Sequence, residues 1–282
     1  MKTIKALGLL GLAVSACFAA QAFATTCPMA PATGVQTQGS PVCIAPVGQD
    51  GAGTGLNSLF GPGGSLVVSG PGINIYNGQA NPSSLWEIGA TGASENKLVL
   101  EIAGNANVNS FGIFDPTNSS NVLQIFSGPA SAGASATLMY NGGGQFSAAA
   151  FGGPSTTVTF GDGALFGYYL DTPYGYFYSV PSMNAPGGTT YPDGMPHMVA
   201  YQGGNGTRFS IDGKTSGPWL SNEYLLAWED SPWASSDLDY NDFVVMVESV
   251  TPVPEPADLA IFGFGILLVG GFVALRRRRL NA

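Results

Sequence analysis

Apolar residues along this chain gather into short runs, and Gly, Pro, Asn or Asp falls in nearly every gap between them. In 97–102, Leu98 and Leu100 alternate with Val99 and Glu101. That is the period of a strand with two faces. The runs predict strands over 65–69, 73–76, 97–102, 110–114, 122–126, 136–140, 156–160, 165–170, 175–179, 197–201, 207–211, 223–228 and 243–250. Apart from the two ends, no segment keeps a helical apolar period for more than ten residues, and there is no clear internal repeat. Regularly spaced short strands predict an all-β domain over 65–251, a two-sheet sandwich or jelly-roll-like fold. Residues 25–64 are rich in Gly, Ala, Pro, Gln and Thr, with little periodicity, and read as a loosely structured arm.

The ends follow a different pattern. Lys2 and Lys5 precede an apolar stretch over 6–20, and Ala22-Phe23-Ala24 has the small-x-small form of a signal-peptidase site. Cleavage is expected between Ala24 and Thr25, so 1–24 is a signal peptide. An alternative lies inside it: Val14-Ser15-Ala16-Cys17 resembles a lipoprotein cleavage box, which would place a lipid on Cys17. At the other end, Pro254-Glu255-Pro256 lies in a breaker region, 252–256. An apolar segment, 257–275, follows, with 17 uncharged residues over 259–275. As a helix that stretch would reach roughly 25 Å, enough for a thin hydrocarbon layer. Arg276, Arg277, Arg278 and Arg279 open the basic tail, 276–282, and would hold that end in the cytoplasm.

Charge changes the picture once those ends are set aside. The whole chain carries −9, but six of its nine basic residues lie in the removable ends. Between Thr25 and Pro254 only Lys97, Arg208 and Lys214 remain against sixteen Asp and Glu, which leaves a net charge near −13. Nucleic-acid binding needs a basic footprint, and none is present. Cations, neutral sugars and protein partners remain. Cys17 leaves with the signal peptide, so Cys27 and Cys43 form an even pair in an exported chain, and a disulfide is expected. Closing that loop stabilises by about 3 kcal/mol in the chain-entropy model.

The chemistry concentrates between the runs 223–228 and 243–250. Residues 229–242 hold five carboxylates and no Lys or Arg. Left alone these groups repel and raise one another's pKa; a hard cation removes the conflict. Asp237, Asp239 and Asn241 have the alternate spacing that opens an EF-hand loop, where oxygens converge on Ca²⁺. Asp242 stands where that loop wants Gly, and no Glu follows at the twelfth position, so this is not an EF-hand. Glu229, Asp230 or Asp242 would supply the remaining ligands from the other side of the hairpin. The competing reading is a solvated acidic turn whose side chains bond backbone N–H groups.

Two resemblances follow from these residues. Pro254-Glu255-Pro256, the apolar run and the arginine cluster resemble the PEP-CTERM sorting signal of exosortase substrates. That resemblance implies a Gram-negative bacterium that makes extracellular polysaccharide, and signal peptidase and an exosortase-type membrane sortase as processing partners. It also implies a mature protein at the cell surface or in the matrix. Leu226-Ala227-Trp228-Glu229-Asp230 and the run Ser236-Asp237-Leu238-Asp239-Tyr240-Asn241-Asp242-Phe243-Val244-Val245 resemble an uncharacterised β-domain family of bacterial surface proteins. The segments 100–104, 109–114 and 165–170 resemble its earlier parts, and the match covers about 85–250. It implies a calcium-associated extracellular β-domain and no reaction.

Rival functions have weaker residues behind them. His197 is the only histidine, and no G-x-S-x-G elbow accompanies it. A glycosidase pair would have to come from Glu87, Glu101, Asp171 or Glu223, with nothing to choose among them. A carbohydrate-binding module has more support: Trp86, Trp219, Trp228, Trp233 and eleven tyrosines, of which Tyr174, Tyr176 and Tyr178 alternate onto one strand face. The reading overall is an exported structural or adhesive protein with a calcium-stabilised β-domain, not an enzyme, with extracellular polysaccharide as an expected contact.

Overall fold

The computed structural model describes residues 42–45, 53–90, 92–101, 105, 107–184, 195–233 and 235–254. Among them, nearly all regular structure is strand, and every strand pairing is antiparallel. One sheet runs β11 (Met198–Gln202), β14 (Glu223–Trp228), β15 (Phe243–Glu248), β3 (Ala93–Glu101), β6 (Ser135–Gly142), β7 (Gln145–Ala150), β8 (Ser155–Thr159). A second runs β16 (Val250–Val253), β2 (Leu85–Ile88), β9 (Phe166–Thr172), β4 (Ser110–Asp115), β5 (Asn118–Phe126), with β10 (Gly175–Tyr178) also paired to β9. A small third joins β1 (Val67–Ser69), β12 (Arg208–Ile211) and β13 (Lys214–Thr215).

The two larger sheets pack as a β-sandwich. Trp86, Phe111, Phe166 and Tyr168 of one meet Leu98, Leu226, Trp228, Phe243 and Val245 of the other. Phe111 is the hub: the rings of Phe126, Tyr168, Trp228 and Phe243 all centre within 6.3 Å of it. The seven-stranded sheet is also covered on its far side. There Val199, Tyr201, Leu225, Ala227 and Val244 pack against Leu56, Phe60, Ile73, Phe209 and Trp219. Two-sided burial is why 225–228 and 243–247 are continuously apolar rather than alternating.

That outer layer differs from the sequence reading. Ile44 and the short helix α1 (Leu56–Phe60) fall in the stretch read as a loose arm, yet Ile44, Leu56, Leu59 and Phe60 are buried in the layer. The expected strand over 73–76 is a turn. Asn74 Oδ1 accepts the backbone N–H of Tyr76 at 3.1 Å and of Asn77 at 3.0 Å, which takes the donors a ladder would need. The expected strand over 243–250 splits at Ser249, whose φ is +57°, and β16 crosses to the other sheet. Among the described residues no helix is long and apolar enough to cross a membrane. The expected signal peptide, the sorting segment 257–275 and the tail 276–282 lie outside the described residues.

Candidate metal centre

The strands on either side of the acidic loop are in direct register, with Trp228 opposite Phe243. Residues 229–242 are therefore an excursion between two paired positions. Its first residue extends the ladder, since Glu229 N–H donates to the His197 carbonyl at 3.0 Å. The tip is a tight turn in which Ser235 and Ser236 N–H donate to Pro232 O at 2.8 and 2.9 Å. Outside contacts pin the return. Ala45 N–H donates to Leu238 O at 2.6 Å, Asn241 Nδ2 donates to Thr54 O at 3.0 Å, and the Tyr240 hydroxyl donates to Pro196 O at 2.7 Å. Leu238 and Tyr240 hold φ of +63° and +55°. Non-glycine residues take that left-handed conformation at a cost of order 1–3 kcal/mol each, so the surroundings impose it.

Imposed geometry brings charges together. Glu229, Asp237 and Asp239 each present a carboxylate oxygen, and the three lie within 4.8 Å of one another. Glu229 and Asp239 are buried and Asp237 is half-buried. Around them the hydrogen bonds are local. Glu229 Oε1 accepts Tyr240 N–H at 2.6 Å and Oε2 accepts the Ser236 hydroxyl. Asp239 accepts Asn241 N–H at 3.2 Å and Asn241 Nδ2 at 2.8 Å. Asn241 is fully buried, and its Oδ1 has no donor among the described residues. Oxygens around one Ca²⁺ at 2.3–2.6 Å are at most about 5 Å apart, so the trio fits a single ion. The buried amide oxygen of the same short segment has the hard-oxygen chemistry that ion takes. The residues present thus fit calcium: Glu229, Asp237 and Asp239 would hold it, and its charge would neutralise theirs.

Asp230 and Asp242, expected in the same ligand set, stand beside this trio. Asp242 Oδ2 accepts Asp230 N–H at 2.9 Å. Asp230 Oδ2 accepts Asn105 Nδ2 at 3.1 Å and Asn109 Nδ2 at 2.9 Å, and Ser231 donates to its Oδ1 at 3.0 Å. Burial and like charge act together on the carboxyls here. Burial first, then the charge of Asp242, pushes the Glu229 carboxyl well above the usual carboxylate range. Burial, then Asp230, pushes Asp242 up to about 8. Glu101 is pushed up to about 8 by burial and then by Asp230.

Asn105, Asn109 and Ser236 are not among the site residues the sequence suggests, and Glu101 stands there only as a possible glycosidase carboxylate. Only the pairing of Phe243 with Glu101 brings the end of β3 beside the loop, and no local motif signals that. Other expected residues fall as follows. Cys43 is disulfide-bonded, while Cys27, Ala24, Thr25, Glu255, Pro256 and Arg276–Arg279 lie outside the described residues. Pro254 directly follows β16. His197 is buried and stacked on Phe177, with ring centroids 3.7 Å apart. Glu87 and Glu223 lie on β2 and β14, Asp171 on β9, and Glu101 ends β3. Trp86, Trp219, Trp228 and Tyr240 are buried, so none of the four offers a ring face to a ligand.

No protein-family model matches this chain, and no curated protein or solved structure does either.

Proposed function

We propose that this chain is an exported, sorted surface or matrix protein whose β-domain is stabilised by calcium, with a structural or adhesive role rather than a catalytic one. The observation that carries the reading is the trio of buried Glu229, half-buried Asp237 and buried Asp239, with Asn241 Oδ1 given no donor among the described residues. A loop that forces carboxylates together, with no lysine or arginine in it, is costly without a cation and favourable with one. Support for the compartment comes from the disulfide-bonded Cys43 and the net acidity. The PEP-CTERM-like tail supports it as well.

Thermal unfolding of the purified chain in millimolar calcium and in chelator tests the cation. The reading expects a higher Tm in calcium by several degrees, and equal values overturn it. Intact mass of the protein recovered from the extracellular matrix tests the export and sorting steps. The reading expects loss of 1–24 and of the sorting tail, whereas a full-length cytosolic chain with reduced cysteines overturns it.

A further inference from the structure

The outer face of the six-stranded sheet carries a second feature. Tyr176 pairs with Asp171 and Tyr178 with Tyr169 across β10 and β9. Directly opposed residues share a face. Tyr169, Asp171, Tyr176 and Tyr178 therefore stand together, with Tyr174 at the turn that enters β10.

Two glycines let the inner rings lie flat. A Cβ at Gly112 would meet the Tyr169 ring at 2.8 Å, and one at Gly167 would run into the Phe114 ring. Tyr169 and Phe114 thus form a buried aromatic floor. Tyr176 sits 5.2 Å from Tyr169, and Tyr178 sits 4.8 Å from Phe114. The rings of Tyr176 and Tyr178 are 13° from parallel, with centroids 6.1 Å apart. Tyr174 is 48% exposed and Tyr176 43%. Among the described residues the only other exposed aromatic is Phe151, at the β7–β8 turn. Two exposed tyrosines over an aromatic floor gather ring surface at one place on the sheet.

Chemistry narrows what would cover it. Exposed phenol rings offer apolar ring surface with a hydroxyl at the rim, and tyrosine loses little side-chain entropy on binding. The apolar C–H face of a pyranose ring fits such a surface. Its ring hydroxyls then need acceptors at the edge. Asp171 supplies one, because its carboxylate accepts no hydrogen bond from any described residue. Among the described residues anionic ligands find no counter-charge on this sheet: Lys97, Arg208 and Lys214 lie on β3, β12 and β13, in the other two sheets. A quaternary ammonium ion would want rings boxed around it rather than two nearly parallel ones.

We propose that the face built by Tyr174, Tyr176, Tyr178 and Asp171 binds neutral glycan chains by ring stacking. This names a ligand class for the adhesive role above and in that sense rests on it. The two fail separately, because the cation test reads unfolding and this one reads capture.

The experiment applies the purified chain, in millimolar calcium, to an array of neutral glycans together with alginate and a choline surface. Affinity electrophoresis on the strongest neutral binder follows. The proposal expects binding to at least one neutral glycan and a loss of tenfold or more in the Tyr174→Ala/Tyr176→Ala double variant. That variant should keep its Tm, since both side chains are exposed. Asp171→Asn should weaken binding several-fold, and Phe151→Ala should leave it unchanged. No neutral glycan bound, binding only to alginate or choline, or equal binding by wild type and the double variant overturns the proposal. So does equal loss in Phe151→Ala.

Discussion

Glu229→Gln separates a carboxylate that serves a cation from one that serves only the loop's own donors. Glu229 is 1% exposed, and its oxygens accept Tyr240 N–H at 2.6 Å and the Ser236 hydroxyl. Glutamine keeps the shape and one acceptor, and the Ser236 hydroxyl can turn to accept from the new amide. The substitution therefore leaves the ion-free hydrogen bonds nearly intact. It removes a charge whose oxygen lies within 4.8 Å of those on Asp237 and Asp239. At that distance two ionised carboxylates repel by about 3.5 kcal/mol in an effective dielectric of about 20. The relief is smaller than that, because Glu229 without an ion holds its proton to well above the usual range.

In chelator, then, the variant should unfold at the wild-type temperature or a few degrees higher. In calcium the order reverses. At a free concentration 100 times Kd, wild type gains about 2.7 kcal/mol. If losing one of three carboxylates weakens binding by about 100-fold, the variant sits near its own Kd and gains only about 0.4 kcal/mol. The difference of about 2.3 kcal/mol is a Tm gap of about 5–9 °C for a domain of this size. Calorimetry of both proteins in millimolar calcium and in chelator reads it. Equal destabilisation under both conditions would refute the cation argument and leave Glu229 as a structural acceptor.

Three further outcomes follow from the same structure. Phe111→Ala empties the centre of the sandwich, where four aromatic rings surround a fully buried side chain, and should cost about 3–5 kcal/mol in urea unfolding. Ser249→Gly should stabilise by up to about 1 kcal/mol in the same assay, since φ is +57° at the residue where the chain changes sheets. The pH dependence in chelator should run opposite to ordinary acid denaturation. Glu101 and Asp242 are both pushed up to about 8, so the folded chain holds protons that the unfolded chain releases near 4. Stability is then greatest below about pH 4 to 5 as far as these groups contribute, and falls as pH rises through 8. Tm measured from pH 5 to 8 in chelator checks the sign, and a rise across that interval contradicts it.

The apolar pattern placed the central strands because packing there is two-sided and leaves little ambiguity. β14 and β15 appear as unbroken apolar runs, and their hydrophobic ends frame the acidic loop. β7 was invisible for the opposite reason. Gln145–Ala150 is mostly Ala, Ser and Gln, with weak strand preference, and it is held by β6 on one side and β8 on the other. α1 is five residues between two glycines with no side-chain cap, too short to show a period. The trio showed itself through the alternate spacing of Asp237 and Asp239 and the turn back to Glu229. The neighbours did not: Asn105 and Asn109 reach Asp230 across 125 and 121 residues, a relation that only strand register creates.

The position of the acidic loop matters as much as its composition. Its first carboxylate belongs to a residue whose N–H bonds the His197 carbonyl, while His197 Nδ1 lies 3.4 Å from the Glu229 carbonyl oxygen. His197 in turn lies flat on Phe177, at 3.7 Å and 7°. Phe177 is the inward residue of β10, and its neighbours Tyr176 and Tyr178 face outward. One short path of backbone bonds and a ring stack thus runs from the carboxylate trio to the strand that presents the tyrosines. β10 is an edge strand that pairs only with β9, and without that support it is the part of its sheet most easily loosened. On the proposed reading, a cation held at Glu229 would steady the inward side of β10 through His197 and Phe177. The acidic loop and the exposed tyrosines are, on that reading, linked through the buried stack of His197 on Phe177.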